Sequence, residues 1–398
     1  MTYKEFTIRT HQSMLVFKKD TVEKNYKSEA KFKKNRLSSV KNEMYCLNKF
    51  SNKNVYAPEI IKSGKTHYIM KRYDFGLGSS KRIDENGIRR LLFTCSLSEI
   101  FKQIDEIENI LNKRKIIHKD INPGNLLFCE KERVLKLIDF YWASTDHIDC
   151  SSIKGVNGIY GKDQEAFIKI KKQIAGVDKK VRTQVKGSKK ILSNLGKVYL
   201  DGSAAHRGKT YHPIDIHYYK KNLYHKDIDY DFQSVIKNIN SPIESVIDTG
   251  CAAGYYLFNL RRIYKMKKII GYEADPNMLS FLKTIKNIFC LNEIELNPAT
   301  KDTTKFQDVD LALCMNVHMW MVKQLGKRAD IIISNLIKHS KVMFFQTCGV
   351  NNSGRYKVKY LKSTEDIQKY LEGLSGKKVT FIDFSKHGGK RSLFKIGN

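Results

Sequence analysis

Apolar residues recur along this chain with two different rhythms. Over 34–50, Leu37, Val40, Met44 and Leu47 fall three or four apart, which predicts a helix. The same stripe returns over roughly 92–113 through Leu92, Ile100, Ile104, Ile107 and Leu111, and "KDQEAFIKIKKQI" (162–174) predicts an amphipathic helix with its charges outside. Around these, "QSMLVFKK" (12–19), "HYIMKRYDFG" (67–76) and "RVLKLIDF" (133–140) predict strands, the second leaving into a glycine turn and the third ending on an acid. After 236 the rhythm changes. "SVIDTG", "KIIGYEAD", "VDLALCMNV" and "VMFFQTCG" are short continuous apolar runs that end in polar residues or glycine and alternate with helical segments. Such runs suit strands buried on both faces of a parallel sheet. The tail "KKVTFIDFSKHGGKRSLFKI" predicts a hairpin closing that sheet at one edge.

These patterns predict two domains: an α+β fold over 1–176 and a Rossmann-like α/β fold with a mostly parallel sheet over 236–398. Residues 177–235, rich in Lys, Tyr, His and Asp with weak periodicity, are expected to be a linker and cap segment. A chain of 398 residues exceeds what one core usually serves, in keeping with this division. The composition, 41% apolar with 20 Phe and 21 Tyr, is that of a globular protein.

No run reaches the roughly 18 apolar residues that span a bilayer, and "MTYKEFTIRT" has no apolar signal region, so a cytoplasmic protein is expected. The eight cysteines form no C-x-x-C pair and predict neither zinc nor a disulfide framework. The net charge of +31 is spread along the chain, and Lys far outnumbers Arg. A nucleic-acid reader gathers its basic residues and favours Arg, so the charge fits solvated surfaces or peripheral association with an anionic membrane better than base recognition.

Two stretches carry chemistry. In "IIHKDINPGNLLF" (116–128), a loop places Asp120 and Asn125 five residues apart, and Asp139 ends the next strand. Phosphoryl transfer needs such a set: a carboxylate near the attacking hydroxyl and oxygen ligands for magnesium. The pattern H-x-D-x-x-x-x-N followed by D-F resembles the protein-kinase-like superfamily. The resemblance implies a bilobal fold with ATP as donor, Asp120 as base, Asn125 and Asp139 as magnesium ligands, and His118 bracing the loop. It further implies Lys18, with Lys19 as rival, on the nucleotide phosphates, and Glu43 as the lysine's ion-pair partner. Pro123 makes the pattern resemble the small-molecule and lipopolysaccharide kinases more than protein kinases. No glycine precedes Gly64, so the glycine-rich phosphate loop is absent or replaced by "RTHQS" (9–13), and Lys18 leaves room only for a shortened N-lobe.

In "VIDTGCAAGYYLF" (246–258), a buried strand turns at Gly250, and Gly254 opens a helix. Glu273 ends the next strand, where an acid can hold ribose hydroxyls. This combination resembles the class I S-adenosylmethionine-dependent methyltransferases over about 235–398. The resemblance assigns Asp248, Gly250 and Gly254 to the methionine-side loop, Glu273 to the ribose and Asp302 to the adenine. His318, in "MNVHMWM", stands as a candidate general base or as a packed helix-start histidine. Cys251 reads as a core residue, and the histidines of "HRGKTYHPIDIHYY" (206–219) lack metal-ligand spacing.

The pair of sites resembles the bifunctional kinase and methyltransferase that terminates bacterial O-antigen chains, with the domain order reversed. The expectation is therefore phosphorylation and methylation of a saccharide or glycolipid acceptor. The rival expectation is an RNA methyltransferase with an accessory or pseudokinase domain.

Overall fold

The computed structural model of the chain describes residues 6–9, 13–26, 36–64, 67–79, 82–145, 163–198, 216–218, 228–300, 303–347, 358, 360–385 and 391–397. Two compact units divide it, 1–181 and 182–398.

The first unit opens with β1 (Phe6–Arg9), β2 (Ser13–Phe17) and β3 (Thr21–Tyr26), followed by α1 (Arg36–Ser51), β4 (Ile60–Ser63) and β5 (His67–Lys71). The five strands form one antiparallel sheet in the order β1-β2-β3-β5-β4. In β3 the buried positions alternate, so Val22 and Lys24 share the covered face. After β6 (Phe75–Gly76) come α2 (Glu85–Thr94) and α3 (Leu97–Lys113).

The single helix expected over 92–113 is thus two. Ser96 starts a new helix by accepting from the Glu99 backbone, while the Glu99 carboxylate takes the Ser96 N–H. This reciprocal cap satisfies two donors that a helix start leaves open. Ile100, Ile104, Ile107 and Leu111 then bury the stripe. A short antiparallel pair, β7 (Ile116–Ile117) and, further on, β10 (Ser144–Thr145), brackets the loop and the hairpin β8 (Leu126–Cys129)–β9 (Val134–Leu137).

The helix predicted at 162–174 is longer than its pattern suggested. α4 runs from Asp163 to Val198, and the boundary between the units falls inside it. Its stripe continues past 176 through the buried Val177, Val181 and Val185, so 177–198 are helical where the sequence showed only weak periodicity.

The second unit adds α5 (Ile228–Lys237), β11 (Ser245–Thr249), α6 (Tyr255–Ile263), β12 (Lys268–Glu273), α7 (Pro276–Ile288), β13 (Ile294–Pro298) and β14 (Val309–Met315). These are followed by α8 (His318–Leu325), α9 (Arg328–Lys338), β15 (Ser340–Gln346), α10 (Thr364–Ser375), β16 (Val379–Phe384) and β17 (Ser392–Ile396). Seven strands make one sheet in the order β13-β12-β11-β14-β15-β17-β16. The first five are parallel, and β17 is antiparallel to both its neighbours, which is the edge hairpin the tail predicts. Strand order reverses at β11, flanked by β12 and β14, and a crevice opens at the carboxyl ends of strands at such a switch point. One face of β14, β15 and β17 is packed by α9 and α10 through Ile333, Leu336, Ile367 and Leu371.

Among the described residues, no helix is long and apolar enough to cross a membrane. The six described cysteines are free thiols.

Candidate functional sites

In the first unit, a lysine on β3 is held by two acids. Lys24 Nζ lies 3.0 and 3.1 Å from the Glu43 carboxylate oxygens and 2.6 Å from Asp139 Oδ1. Tyr26 and Tyr68 also donate to Glu43, the latter at 3.1 Å. Three tyrosine rings, Tyr26, Tyr68 and Tyr141, stand 5.3 to 5.9 Å from the ammonium, within reach for cation–π attraction. Burial alone would lower the Lys24 pKa, but Asp139 and Glu43 hold it well above the ordinary lysine value. Burial pushes Glu43 up, whereas Asp139 is kept below the ordinary range because Lys24 more than offsets its desolvation.

This arrangement corrects the expectation for Lys18. Lys18 follows the end of β2, where its N–H closes a turn on the Thr21 carbonyl at 2.9 Å, and its ammonium faces Glu23 at 3.5 Å. Lys19 is exposed. Lys24 occupies the place foreseen for Lys18, on the third strand, so the first sheet has five strands and the shortened lobe is not found. The signal was present in "TVEKNY", where Val22, Lys24 and Tyr26 alternate, but its polar character hid the strand. The segment standing where a glycine-rich loop would be joins β1 to β2, and residues 10–12 of it lie outside the described residues.

Asp120 and Asn125 are brought into contact. Asn125 Nδ2 donates to Asp120 Oδ2 at 3.0 Å and to its carbonyl at 2.8 Å, and Asn122 Nδ2 donates to Oδ1 at 2.9 Å. Pro123–Asn125 form a 3-10 turn whose first N–H is capped by Asn122. Burial raises the Asp120 pKa, the nearby Asp139 adds to this, and the two asparagines oppose it. The Ile138 N–H donates to the Asn125 carbonyl at 3.0 Å, which sets Asp139 beside this loop.

His118 is fully buried, with Nε2 3.1 Å from the Ile138 carbonyl and its ring edge-on to Phe140. Burial lowers its pKa against the pull of Asp163, Asp139 and Asp120, and Nε2, facing a carbonyl, is the nitrogen that donates. Asp163, at the start of α4, accepts the His118 N–H at 2.6 Å and the Lys119 N–H at 3.0 Å. The sequence offered no local sign of this contact, which spans 45 positions. Lys119 and Asp139 both have φ near +64°, a strained backbone that the surrounding bonds hold in place.

In the second unit, the switch point carries two acids. Asp248 on β11 is buried, with Oδ2 lacking any hydrogen-bond partner among the described residues. Burial, and then the charge of Glu273, push its pKa up to about 8. Glu273 Oε2 accepts the Ala252 N–H at 2.7 Å and Oε1 accepts the Asp275 N–H at 2.9 Å. Burial raises its pKa as well, against those N–H bonds.

The turn between β11 and α6 needs its glycines. Gly250 and Gly254 have φ of 73° and 78°, and a Cβ on Gly250 would stand 2.6 Å from Val317 Cγ2. Cys251 is buried and its thiol pKa is raised by burial, which makes it a core residue.

His318 is fully buried between Thr347 and Tyr370, with Nδ1 3.3 Å from Thr347 Oγ1 and Nε2 3.2 Å from Tyr370 OH. Burial takes its pKa down to about 4. A general base must reach the proton it removes, and a ring enclosed on both nitrogens does not. His318 is placed as a tie between α8, the end of β15 and α10. Asp302, residues 206–215 and Tyr219 lie outside the described residues.

Among the described residues, no three His, Cys, Asp or Glu side chains cluster as a protein-only metal site.

No protein-family profile matches the chain. Over 81 residues it is 38% identical to the serine/threonine-protein kinase stk11 homolog of Dictyostelium discoideum, a stretch covering 20% of this chain and 14% of that protein. It is similar to the solved structure of the bifunctional kinase-methyltransferase WbdD, at 14% identity and a TM-score of 0.34, covering 43% of this chain and 38% of that one. It is similar to the methyltransferase domain of bacterial-CtHen1-C, at 16% identity and a TM-score of 0.33, over 43% of this chain and 96% of that chain. For the N-terminal domain of EvdMO1 in the presence of SAH and D-fucose, the values are 12% and 0.35, over 44% and 84%. The chain thus spans about a seventh of the length of the curated relative.

Proposed function

We propose that the chain is a bifunctional enzyme: an S-adenosylmethionine-dependent methyltransferase joined to an ATP- and magnesium-dependent phosphotransferase, acting on a saccharide or glycolipid. The observation that carries the reading is the unpartnered Oδ2 of the buried Asp248 carboxyl at the switch point, beside Glu273 and the Gly250–Gly254 turn. A buried carboxyl without a partner is costly, and a cationic ligand removes the cost. S-adenosylmethionine carries two positive centres, a sulfonium and an ammonium, and supplies an electrophilic methyl group when bound. Asp248 would face the cationic methionine part. The Gly250–Gly254 backbone would allow close approach, and Glu273 would take the ribose hydroxyls.

In the first unit, Lys24 would hold the nucleotide phosphates, with Glu43 fixing its direction. Asp139 and the side-chain oxygen of Asn125 fit magnesium, which keeps water and phosphate oxygens as its remaining ligands, so no protein-only cage is required. Asp120, with its raised pKa, would accept the proton of an acceptor hydroxyl. His118 and Asp163 would keep the loop in shape from beneath. Joining the two units gives the second a high effective concentration of the first one's product.

Double labelling tests this reading. Candidate glycans and glycolipids are incubated with ATP labelled in the γ-phosphate and with methyl-labelled S-adenosylmethionine. Wild type should transfer both labels, Asp120→Ala neither, and Asp248→Ala only phosphate. Undiminished methylation in Asp120→Ala would contradict a sequential scheme.

A second reading, an RNA methyltransferase with an accessory first unit, is favoured by the size of the net charge, +31, and opposed by its even spread along the chain. RNA binding that falls steeply with salt, together with methyl label in RNA, would establish it.

A further inference from the structure

Asn316, the residue after β14, and Gln346, the last of the adjacent β15, lie at the carboxyl edge of the sheet and are joined twice. The Asn316 N–H donates to the Gln346 carbonyl at 2.9 Å, and their side-chain amides share one hydrogen bond. That bond leaves Asn316 Oδ1 and Gln346 Nε2 buried without partners among the described residues, although Gln346 is 0% exposed. Exchanging O and N in both amides leaves the same inventory, one unspent acceptor and one unspent donor. Unspent buried amide atoms are rare, because each forfeits its hydration without a replacement bond.

The placement is specific. Register pairs Asp248 with Leu313 on β14 and Met315 with Gln346 on β15. Residues 313 and 315 share a face, so Asp248 and Gln346 lie on one side of the sheet, Gln346 two steps closer to its carboxyl edge. Asn316 adopts φ of 61°, and Val317 after it sits against Gly250. The amide pair therefore adjoins the turn that would bear the methyl donor.

We infer that the Asn316–Gln346 pair holds the methyl acceptor, and that this acceptor is an uncharged saccharide hydroxyl. The inference rests on the methyltransferase reading and narrows it. A hydroxyl both donates and accepts, so it satisfies Asn316 Oδ1 and Gln346 Nε2 together. A phosphate dianion offers only acceptors and would set a negative oxygen against the amide carbonyl. Methylation of a hydroxyl breaks the methyl–sulfur bond of a sulfonium donor and forms an O–CH3 ether. The hydroxyl proton leaves to water, and the neutral thioether departs.

The test uses the full chain, methyl-labelled S-adenosylmethionine and an extract of the cells that encode it. Labelled product is treated with cold aqueous hydrogen fluoride, which cleaves phosphate esters and spares methyl ethers. Label retained as a sugar methyl ether supports the inference. The same label should fall roughly tenfold or more in Asn316→Gly and Gln346→Met, the loss expected for one hydrogen bond. Both variants should keep wild-type affinity for S-adenosylhomocysteine by calorimetry, which separates acceptor loss from misfolding; glycine is chosen because it accepts the positive φ. Label released by hydrogen fluoride, label on a nucleobase, or ether formation undiminished in both variants would overturn the inference while leaving methyltransferase activity intact. A wild type that neither binds S-adenosylhomocysteine nor transfers methyl would overturn both.

Discussion

Lys24 Nζ and Glu43 Oε1 lie 3.0 Å apart across β3 and α1, and the same ammonium reaches Asp139 Oδ1 at 2.6 Å. One lysine thus ties the strand, the helix and the acid that follows the loop hairpin. If it serves the nucleotide phosphates, Lys24→Ala should weaken MgATP binding by roughly a hundredfold or more, because a buried charge pair loses its cation. Lys18→Ala, on an exposed turn beside Glu23, should change it less than roughly twofold, as expected of a surface ion pair. Titration with a fluorescent ATP analogue distinguishes the two.

Asp248 makes the second unit sensitive to pH. Its folded pKa is about 8, against roughly 3.9 in an unfolded chain. The folded state therefore binds the extra proton between about pH 4 and pH 8, and stability falls as pH rises through that window. Asp248→Asn removes this dependence. Its stability relative to wild type should climb with pH across the window, by at most roughly 1.4 kcal/mol per unit, and level off above about pH 8. Thermal denaturation of both proteins over that range measures it. Binding of a cationic ligand requires the ionised form, so wild-type affinity for S-adenosylmethionine should rise over the same range.

Gly250→Ala should be destabilising and should weaken S-adenosylhomocysteine binding. The new Cβ would meet Val317 Cγ2 at 2.6 Å on a backbone with φ of 73°. Adding Val317→Ala removes the contact with Cγ2 but leaves Val317 Cβ at 2.8 Å and the backbone strain of about 1–3 kcal/mol, so the double variant should recover only part of the loss. Melting temperature and calorimetric affinity together test this.

Asp163→Ala should remove the acceptor shared by the His118 and Lys119 N–H groups. A cost of about 1–3 kcal/mol is expected. Phosphate transfer should fall with little change in nucleotide affinity, because the loop rather than the Lys24 cluster is loosened. Single-turnover kinetics beside equilibrium binding separate the two effects.

The parallel sheet was legible because its strands are continuous apolar runs, and the Gly250–Gly254 turn and Glu273 were legible because they lie at strand ends. What escaped was local polarity and distant contact. "TVEKNY" is a strand whose alternation is carried by a valine, a lysine and a tyrosine, so an apolar count passes over it. Ser96 and Glu99 carry the spacing of a capping box, which a continuous helical stripe masks. Asp163 and the Asn316–Gln346 pair act across 45 and 30 positions, and pairing at that range follows from topology rather than from any local pattern.

Calorimetric titration of S-adenosylhomocysteine into the full chain tests the central claim most directly. Wild type should bind at one saturable site, and Glu273→Ala should lose roughly tenfold or more in affinity, the loss of hydrogen bonds from one buried acid. No binding by wild type, or equal binding by Glu273→Ala, would contradict the assignment of the β11–β12 edge as a methyl-donor site.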